Sequence, residues 1–537
     1  MSGRAPLAAL AVAIGLAVLH TWPLAADVTG QSRLDNADTA LNTWAVTWVA
    51  DTLPRAPLHV FDAPIFHPER RTLAYSEHLL LQGALAVPLR AAGVAPVAIY
   101  NLLVLAGFAL SAWAMWQLVA HWTGDQWAGL VAGAAFAFNA HLLTRFAHLQ
   151  ALHGEFVPVV LLGVDRLVAA PRRRHALLLA GGLVLVGLTS IYLLVFAATA
   201  AVVGLAARVT EWRTEPRRVA GLTALALAIT ALALTPVLWP YYAVHTELGL
   251  ERSVADAAQF SATWRDYLST GGRLHLAGWS WRVFTGHDAL FPGLTVVVLA
   301  VASLVSRGVH PGRRRMLAAI AVAGVVLSVG PALPAYGWLH EHLAPLRVIR
   351  VASRWGILWL TALAALAGLG TAALATRWPA RRVLIGTTAL ALVTLEAVRA
   401  PMAFTPPPPV PPVYRELATL HDAVLLEFPL FPPPQFNLNA PYLVAQTVHG
   451  QRIVAGYSGF APPAFAARTA ALGTFPGESA RAMIGELGVT HVVLHLAPLV
   501  AGFGAAAVDA VDAVPWLERI YGDDEARVFR VRETPGR

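Results

Sequence analysis

Apolar runs of roughly 17–25 residues, the length that crosses a bilayer as a helix, recur from the start of the chain to about residue 400. They predict spans at 6–26, 95–119, 126–143, 156–170, 175–190, 191–207, 219–243, 290–306, 316–332, 355–375 and 382–400. The two runs between 175 and 207 are short and split at Thr189-Ser190. Segment 78–92 is apolar but short and holds Pro88 and Arg90, so it reads as a re-entrant or interfacial helix. The first run, Pro6 to Ala26, is longer than a signal peptide needs and meets no small-x-small cleavage site before the acidic segment. It is read as a retained span.

The pattern changes after residue 400. A Pro-rich stretch, Thr405 to Pro412 within a linker at 401–412, suits a stiff extended spacer. Beyond it "AVLLEFPL" and "VTHVVLHL" read as buried strands, "ESARAMIGELG" as a helix closed by Gly488, and "RVFRV" as a final strand. The fold class expected is therefore mainly α: a polytopic transmembrane helix bundle of about 11 spans, followed by a small C-terminal α/β soluble domain. The expected division is a transmembrane domain at 1–400 with a long external loop at 27–94, then the linker, then the α/β domain at 413–537.

Charge orients this topology. With the N-terminus in the cytoplasm, the loops at Arg172–Arg174, Arg208–Arg218, Arg307–Arg315 and Arg377–Arg382 all fall inside, as the positive-inside rule requires. The connections 27–94, 244–289 and 333–354, and everything after residue 400, then fall outside. The chain is expected in the plasma (inner) membrane with its C-terminal domain extracytoplasmic.

Composition agrees: 57% of the 537 residues are hydrophobic and 13% charged, with a mean hydropathy of +0.58. A soluble domain is nearer a quarter charged. The net charge of +8 sits in loop-sized Arg clusters that set orientation, so no nucleic-acid partner is expected. No cysteine is present, which excludes disulfides and thiolate metal sites.

Candidate chemistry concentrates in the external loops. Asp35 and Asp38 follow the first span, ahead of Trp44 and Trp48, whose i, i+4 spacing suggests an interfacial helix on the bilayer. "FDAPIFHPERRTLAYSEHLL" adds Asp62, His67, Glu69, Glu77 and His78. A carboxylate here can act as a general base or hold a divalent cation against phosphate; solvated acids or helix caps are the alternative. The connection before Phe156 carries His141, Arg145, His148, Gln150, His153 and Glu155, with His141, Arg145 and His148 on a shared helical face. It lacks the HExxH spacing of a zinc protease, and internal hydrogen bonding is an alternative. Arg347, Arg350 and Arg354 lie externally, against the charge trend, and suit a phosphate or pyrophosphate; anionic lipid headgroups satisfy them equally. "WSWRVFTGHDALFPG" supplies Trp279, Trp281, Arg282, His287 and Asp288, a sugar or headgroup contact or an ordinary aromatic belt. "HGQRIVAGYSGFAPP", with His449, Arg452, Tyr457 and Ser458, reads as a structural turn or a sugar-contacting edge.

At "DNADTALNTWAVTW" and "FDAPIFHPERRTLAYSEHLL", and again at "HDALFPG", "LRVIRVASRW" and "GYSGF", the chain resembles bacterial polytopic membrane proteins related to the GT-C glycosyltransferases. The resemblance covers most of the chain. It implies an active site on the extracytoplasmic face, a polyprenyl-phosphate-linked sugar donor, and an acid in the first external loop. Asp38 matches that acid, with Asp35 its neighbour; His148, Gln150 and Glu155 match the second external loop, which in some such enzymes contacts metal or donor. It further implies an inverting displacement in which Asp38 deprotonates or orients the acceptor hydroxyl and Arg347 or Arg350 stabilises the leaving lipid phosphate. Glu77 and His78 join the expected substrate-binding set. No cofactor is required by the sequence; a divalent cation, Mg or Mn, is one option, although Asp35 and Asp38 are three apart and form no DxD. Expected partners are the lipid-linked donor, an envelope glycan, lipid or protein acceptor, and membrane lipids. Two rivals remain: a transporter or flippase of lipid-linked glycans, and a non-catalytic envelope assembly factor.

Overall fold

The structure, a computed structural model, describes residues 5–249, 254–285, 288–342 and 349–532. Each predicted apolar run falls on a helix. Among the described residues four helical stretches are long and apolar enough to cross a membrane: Pro96–Thr123, Gln126–Thr144, Pro216–Leu248 and Ala352–Arg377. Shorter apolar helices include Ala5–Thr21, Leu80–Ala91, Ile191–Ala207 and Leu294–Val305. The chain separates into two compact units: Met1–Val28, Asn101–Leu238 and Glu251–Phe404 form the first, and Thr29–Tyr100, Trp239–Leu250 and Thr405–Arg537 the second.

The first unit is a helix bundle around Gly356–Arg377, which packs against Gln126–Ala137, Leu294–Val305 and Pro311–Ser328. Small residues let the backbones approach, as in bilayer-embedded helix pairs. At Gly370 a side chain would run into the Leu299 carbonyl.

Polar side chains gather at two sets of helix ends. In one set, Asp165 accepts from Arg208 Nη1 at 2.5 Å, Arg313 Nη2 at 3.1 Å and Trp122 Nε1 at 2.9 Å. Arg382 pairs with Asp125 at 3.0 Å, and Arg315 with Glu211 at 3.0 Å. In the other set Arg145 pairs with Asp288 at 2.6 Å, and Arg399 Nη1 donates to the Leu143 carbonyl at 2.7 Å. The Tyr192 hydroxyl accepts from the Arg350 amide at 3.2 Å. Loops that the charge pattern assigns to one side thus contact one another.

The second unit holds a five-stranded sheet of order β2-β1-β3-β5-β4. The strands are β1 (Val424–Phe428), β2 (Arg452–Ile453), β3 (His491–His495), β4 (Leu517–Gly522) and β5 (Ala526–Val531). β1 runs parallel to β2 and β3, whereas β5 is antiparallel to β3 and β4. Val424, Leu426, Phe428, Val492, Leu494 and Phe529 form its core with Leu472 and Ile484 of the covering helices. β1, β3, β5 and the helix Glu478–Glu486 lie where the hydrophobic pattern predicts them. β2 is too short to carry a period, and β4 is largely exposed, so neither has a hydrophobic signature.

The first long loop completes this unit. The Phe66 and His67 amides donate to the carbonyls of Ala455 and Ile453, each at 3.0 Å, and the Ile453 amide donates to Pro64 O at 2.9 Å. Loop 64–67 thereby pairs with the chain running through β2, which would otherwise be an open sheet edge. Ser32 and Thr405 exchange backbone hydrogen bonds of 2.7 and 3.0 Å, tying the start of the Pro-rich stretch to the same loop.

His449, at the end of the helix Ala440–His449, is 4% exposed and stacks on Tyr414 at 5.7 Å. Burial pushes its imidazole down from 6.5 to about 4, against the opposing pull of Glu427. The native state resists a proton that the unfolded chain accepts, so this contribution is complete above about pH 6.5 and is lost as pH falls toward 4. Thermal unfolding at pH 7 and pH 5 is expected to show a larger loss of Tm in the wild type than in His449→Phe.

Candidate active site

The loop after Val28 turns into the helix Ala37–Thr52 at Asn36, whose Oδ1 accepts from the amides of Asp38 at 2.9 Å and Thr39 at 3.3 Å. This N-cap satisfies two of the amides a helix start leaves unpaired. It also sets Asp38 in the first turn, half-buried, where a carboxylate faces the positive end of the helix. Tyr457 OH donates to Asp38 Oδ1 at 2.7 Å, and Asn42 Nδ2 donates to the Asp38 carbonyl at 2.8 Å.

Tyr457 reaches Asp38 because "GYSGF" lies flat against the first loop. A side chain at Gly456 would stand 2.6 Å from the Phe66 ring, and one at Gly459 2.7 Å from the Tyr75 carbonyl. Phe460 stacks on Tyr75 at 4.7 Å. Asn439, fully buried, donates to the Gly456 carbonyl at 3.3 Å and bonds the Phe431 backbone in both directions. The sequence placed a turn here; the Tyr457–Asp38 bond, across 419 positions, has no local signal.

The interfacial reading of Trp44 and Trp48 is corrected. Trp44 is 1% exposed and its Nε1 donates to Gln446 Oε1 at 2.8 Å; Trp48 Nε1 donates to the Val60 carbonyl at 2.8 Å. Both indole N–H groups thus find protein partners, and the helix is buried between Leu80–Ala91 and Ala440–His449. Segment 78–92 forms the former helix, with Arg90 paired to Asp51 at 3.0 Å.

The other expected site residues separate into groups. Asp35 is exposed and pairs with Arg33 at 3.4 Å. His78 is fully buried and its Nδ1 accepts from the Leu80 amide at 3.0 Å, which opens the helix Leu80–Ala91; Glu77 lies half-buried near Tyr241. In the first unit His153 bridges Glu155 at 3.0 Å and the Leu103 carbonyl at 3.1 Å, a buried internal network that includes Ser111. Gln150 is 8% exposed, with its Oε1 unpartnered among the described residues. His148 Nε2 lies 3.5 Å from Arg354 Nη2. Burial, then Arg354 and Arg145, hold the His148 imidazole neutral by pushing its pKa well down. The shared face of His141, Arg145 and His148 is corrected: the Asn139 side chain bonds Phe136 O and Leu142 N, ending the helix before His141.

Arg350 lies 5.0 Å over the Phe260 ring and Arg354 5.2 Å over Tyr192, and among the described residues neither pairs with a carboxylate. Arg347 and His287 lie outside the described residues. No group of three or more His, Asp or Glu among the described residues is arranged to hold a metal ion. With Asp35 on Arg33 and Asp38 on Tyr457, this acidic pair does not make a cation cage.

The fold, an apolar helix bundle with an α/β unit, is shared with a solved membrane glycosyltransferase structure. The cryo-EM structure of the mycobacterial arabinofuranosyltransferase AftD matches 100% of this chain at a TM-score of 0.62 and 16% identity, and the chain spans 40% of that AftD chain. The Archaeoglobus fulgidus oligosaccharyltransferase AglB, solved with an inhibitory peptide and dolichol-phosphate, matches 92% of this chain and 70% of its own at 12% identity and a TM-score of 0.48. ArnT from Cupriavidus metallidurans, bound to undecaprenyl phosphate, matches 99% and 98% at 10% identity and a TM-score of 0.34. No family model and no curated protein sequence matches the chain.

The close approach of "GYSGF" has a direct test. Gly456→Ala drives a methyl into the Phe66 ring, and overpacking of this kind costs about 1–3 kcal/mol. Limited proteolysis of the first loop is expected to accelerate in this variant, whereas Gly485→Ala, whose side chain meets open space, leaves it unchanged.

Proposed function

We propose that this protein is a membrane glycosyltransferase that moves a sugar from a polyprenyl-phosphate donor to an envelope acceptor on the extracytoplasmic face. The observation that carries the reading is the Tyr457–Asp38 hydrogen bond of 2.7 Å, which holds a half-buried carboxylate in one orientation at a helix start. Asp38 is the acid that the GT-C resemblance selects.

Asp38 accepts the proton of the acceptor hydroxyl through its carboxylate. The acceptor oxygen then attacks the anomeric carbon with inversion, and the polyprenyl phosphate leaves with the bonding pair. In the first unit Arg350 and Arg354, stacked on aromatic rings and without a carboxylate partner among the described residues, suit an anionic phosphate group. His148, held neutral beside Arg354, donates or accepts a single hydrogen bond there. Glu155 and His78 are committed to internal bonds and support the loops that carry these groups. Asp35 is an exposed neighbour.

The apolar helices are proposed to cross the membrane about eleven times, with the Arg-rich loops in the cytoplasm and residues 413–537 outside. The contacts that join Arg208, Arg313 and Trp122 through Asp165 support one side for those loops. Because the chain has no cysteine, single introduced cysteines report sidedness directly. Arg213→Cys is expected to resist a membrane-impermeant maleimide in intact cells, and Val410→Cys to react.

Transfer of labelled sugar from polyprenyl-phosphate donors, measured in proteoliposomes, tests the chemistry. Asp38→Asn is expected to lower the rate by about 10²-fold or more with insertion and folding intact. Equal transfer by both proteins removes Asp38 as the base.

A further inference from the structure

The acceptor is the unassigned part of this reading, and the second unit contains a cleft that fits one. A cavity of about 280 Å³ opens between Glu69–Arg71 and the end of the helix Pro216–Leu248. Two ion pairs stand at it. Arg71 Nη1 lies 2.8 and 2.7 Å from the two oxygens of Glu247, and Arg468 Nη1 lies 2.6 Å from Glu69 Oε1. A carboxylate accepts about four hydrogen bonds and a guanidinium donates five, so neither pair exhausts its groups.

Tyr75 lines the same cleft and is 2% exposed. Its ring is clamped by Phe460 at 4.7 Å and Phe66 at 6.0 Å. Its hydroxyl feels Glu69, Arg468, Glu247 and Arg71 and makes no hydrogen bond among the described residues. Burial, with Glu69 next, pushes the phenol up, so it remains a donor at neutral pH. The hydroxyl oxygen is not sealed off from solvent, so a ligand hydroxyl can replace the water that it bonds.

We propose that this cleft binds the acceptor and that the acceptor is an uncharged glycan, one sugar ring lying between the two ion pairs with a hydroxyl accepting from Tyr75. Each sugar hydroxyl both donates and accepts, which matches a wall that carries the carboxylates of Glu69 and Glu247 beside the guanidinium groups of Arg70 and Arg71. Val244 and Leu248 supply apolar surface for the C–H face of the ring. The volume lies just below the roughly 300–1,000 Å³ of drug-sized ligand pockets, which suits one ring better than a peptide. Phe460, which stacks on Tyr75, follows Tyr457 by three residues, at most about 11 Å of extended chain. A glycan seated in the cleft is therefore within a few sugar units of Asp38. The assignment as acceptor rests on the transferase reading; binding of a glycan does not.

The test uses the full chain in nanodiscs, with neutral linear hexasaccharides of arabinofuranose, mannose and glucose and, as a contrast, a peptide containing Asn-Val-Thr. Saturation-transfer NMR and calorimetry are expected to detect one or more hexasaccharides at millimolar affinity or tighter. Tyr75→Phe is expected to weaken that binding about three- to tenfold, and Glu247→Gln to weaken it as well, with circular dichroism unchanged. Binding of the peptide alone, binding of no hexasaccharide, or affinities untouched in both variants overturns the proposal. If transfer is found and Tyr75→Phe leaves the acceptor KM unchanged, the cleft is wrong and the transferase reading stands. If hexasaccharide binding maps to the cleft while no polyprenyl-phosphate donor is used, the cleft stands and the transferase reading fails.

Discussion

The amides along the edge of a β-sheet must find partners, and in the second unit the chain's own first loop supplies them. The bonds from Phe66 and His67 to Ala455 and Ile453, returned by Ile453 to Pro64, bring residues far apart in sequence into one layer. Much else follows from that pairing. It presses Phe66 onto Gly456, sets Tyr75 under Phe460, and allows the Tyr457 hydroxyl to reach Asp38. Trp44 and Gln446 secure the opposite side of the helix Ala37–Thr52 with a buried bond that replaces water on both partners.

The helix bundle obeys the same requirement with different means. In an apolar setting a polar side chain is tolerated where another polar group meets it. Asp165 is 2% exposed and is met by two guanidinium groups and an indole. His153, Glu155 and Ser111 bond to one another in a buried network. These networks consume their members. Arg350 and Arg354 differ, since they lie over aromatic faces and pair with no carboxylate among the described residues.

The proposed base needs a defined orientation. Asn36, through the Asp38 amide, and Tyr457, through the carboxylate, give Asp38 one. Nearby acids are held differently: Asp35 is solvated and pairs with Arg33, while Glu69 and Glu247 are each engaged by arginine.

The helices, the strands β1, β3 and β5, and the polar loops were legible in the sequence because each rests on local periodicity and on charge clusters that a bilayer sorts by side. Asp38 was legible as a candidate with Asp35, through their place after the first apolar run and before an amphipathic stretch, and the resemblance selected Asp38 between them. The tertiary structure decided what the tryptophans do: Trp44 and Trp48 have the spacing of an interfacial helix, yet both are oriented inward by acceptors at Gln446 and Val60. It alone decided that Glu155 and His78 are committed to internal bonds, that His141 leaves the helix at Asn139, and that Tyr457 meets Asp38. Periodicity records which side of an element is apolar; the partner of a single polar atom depends on chain closure over hundreds of residues, which no local pattern encodes.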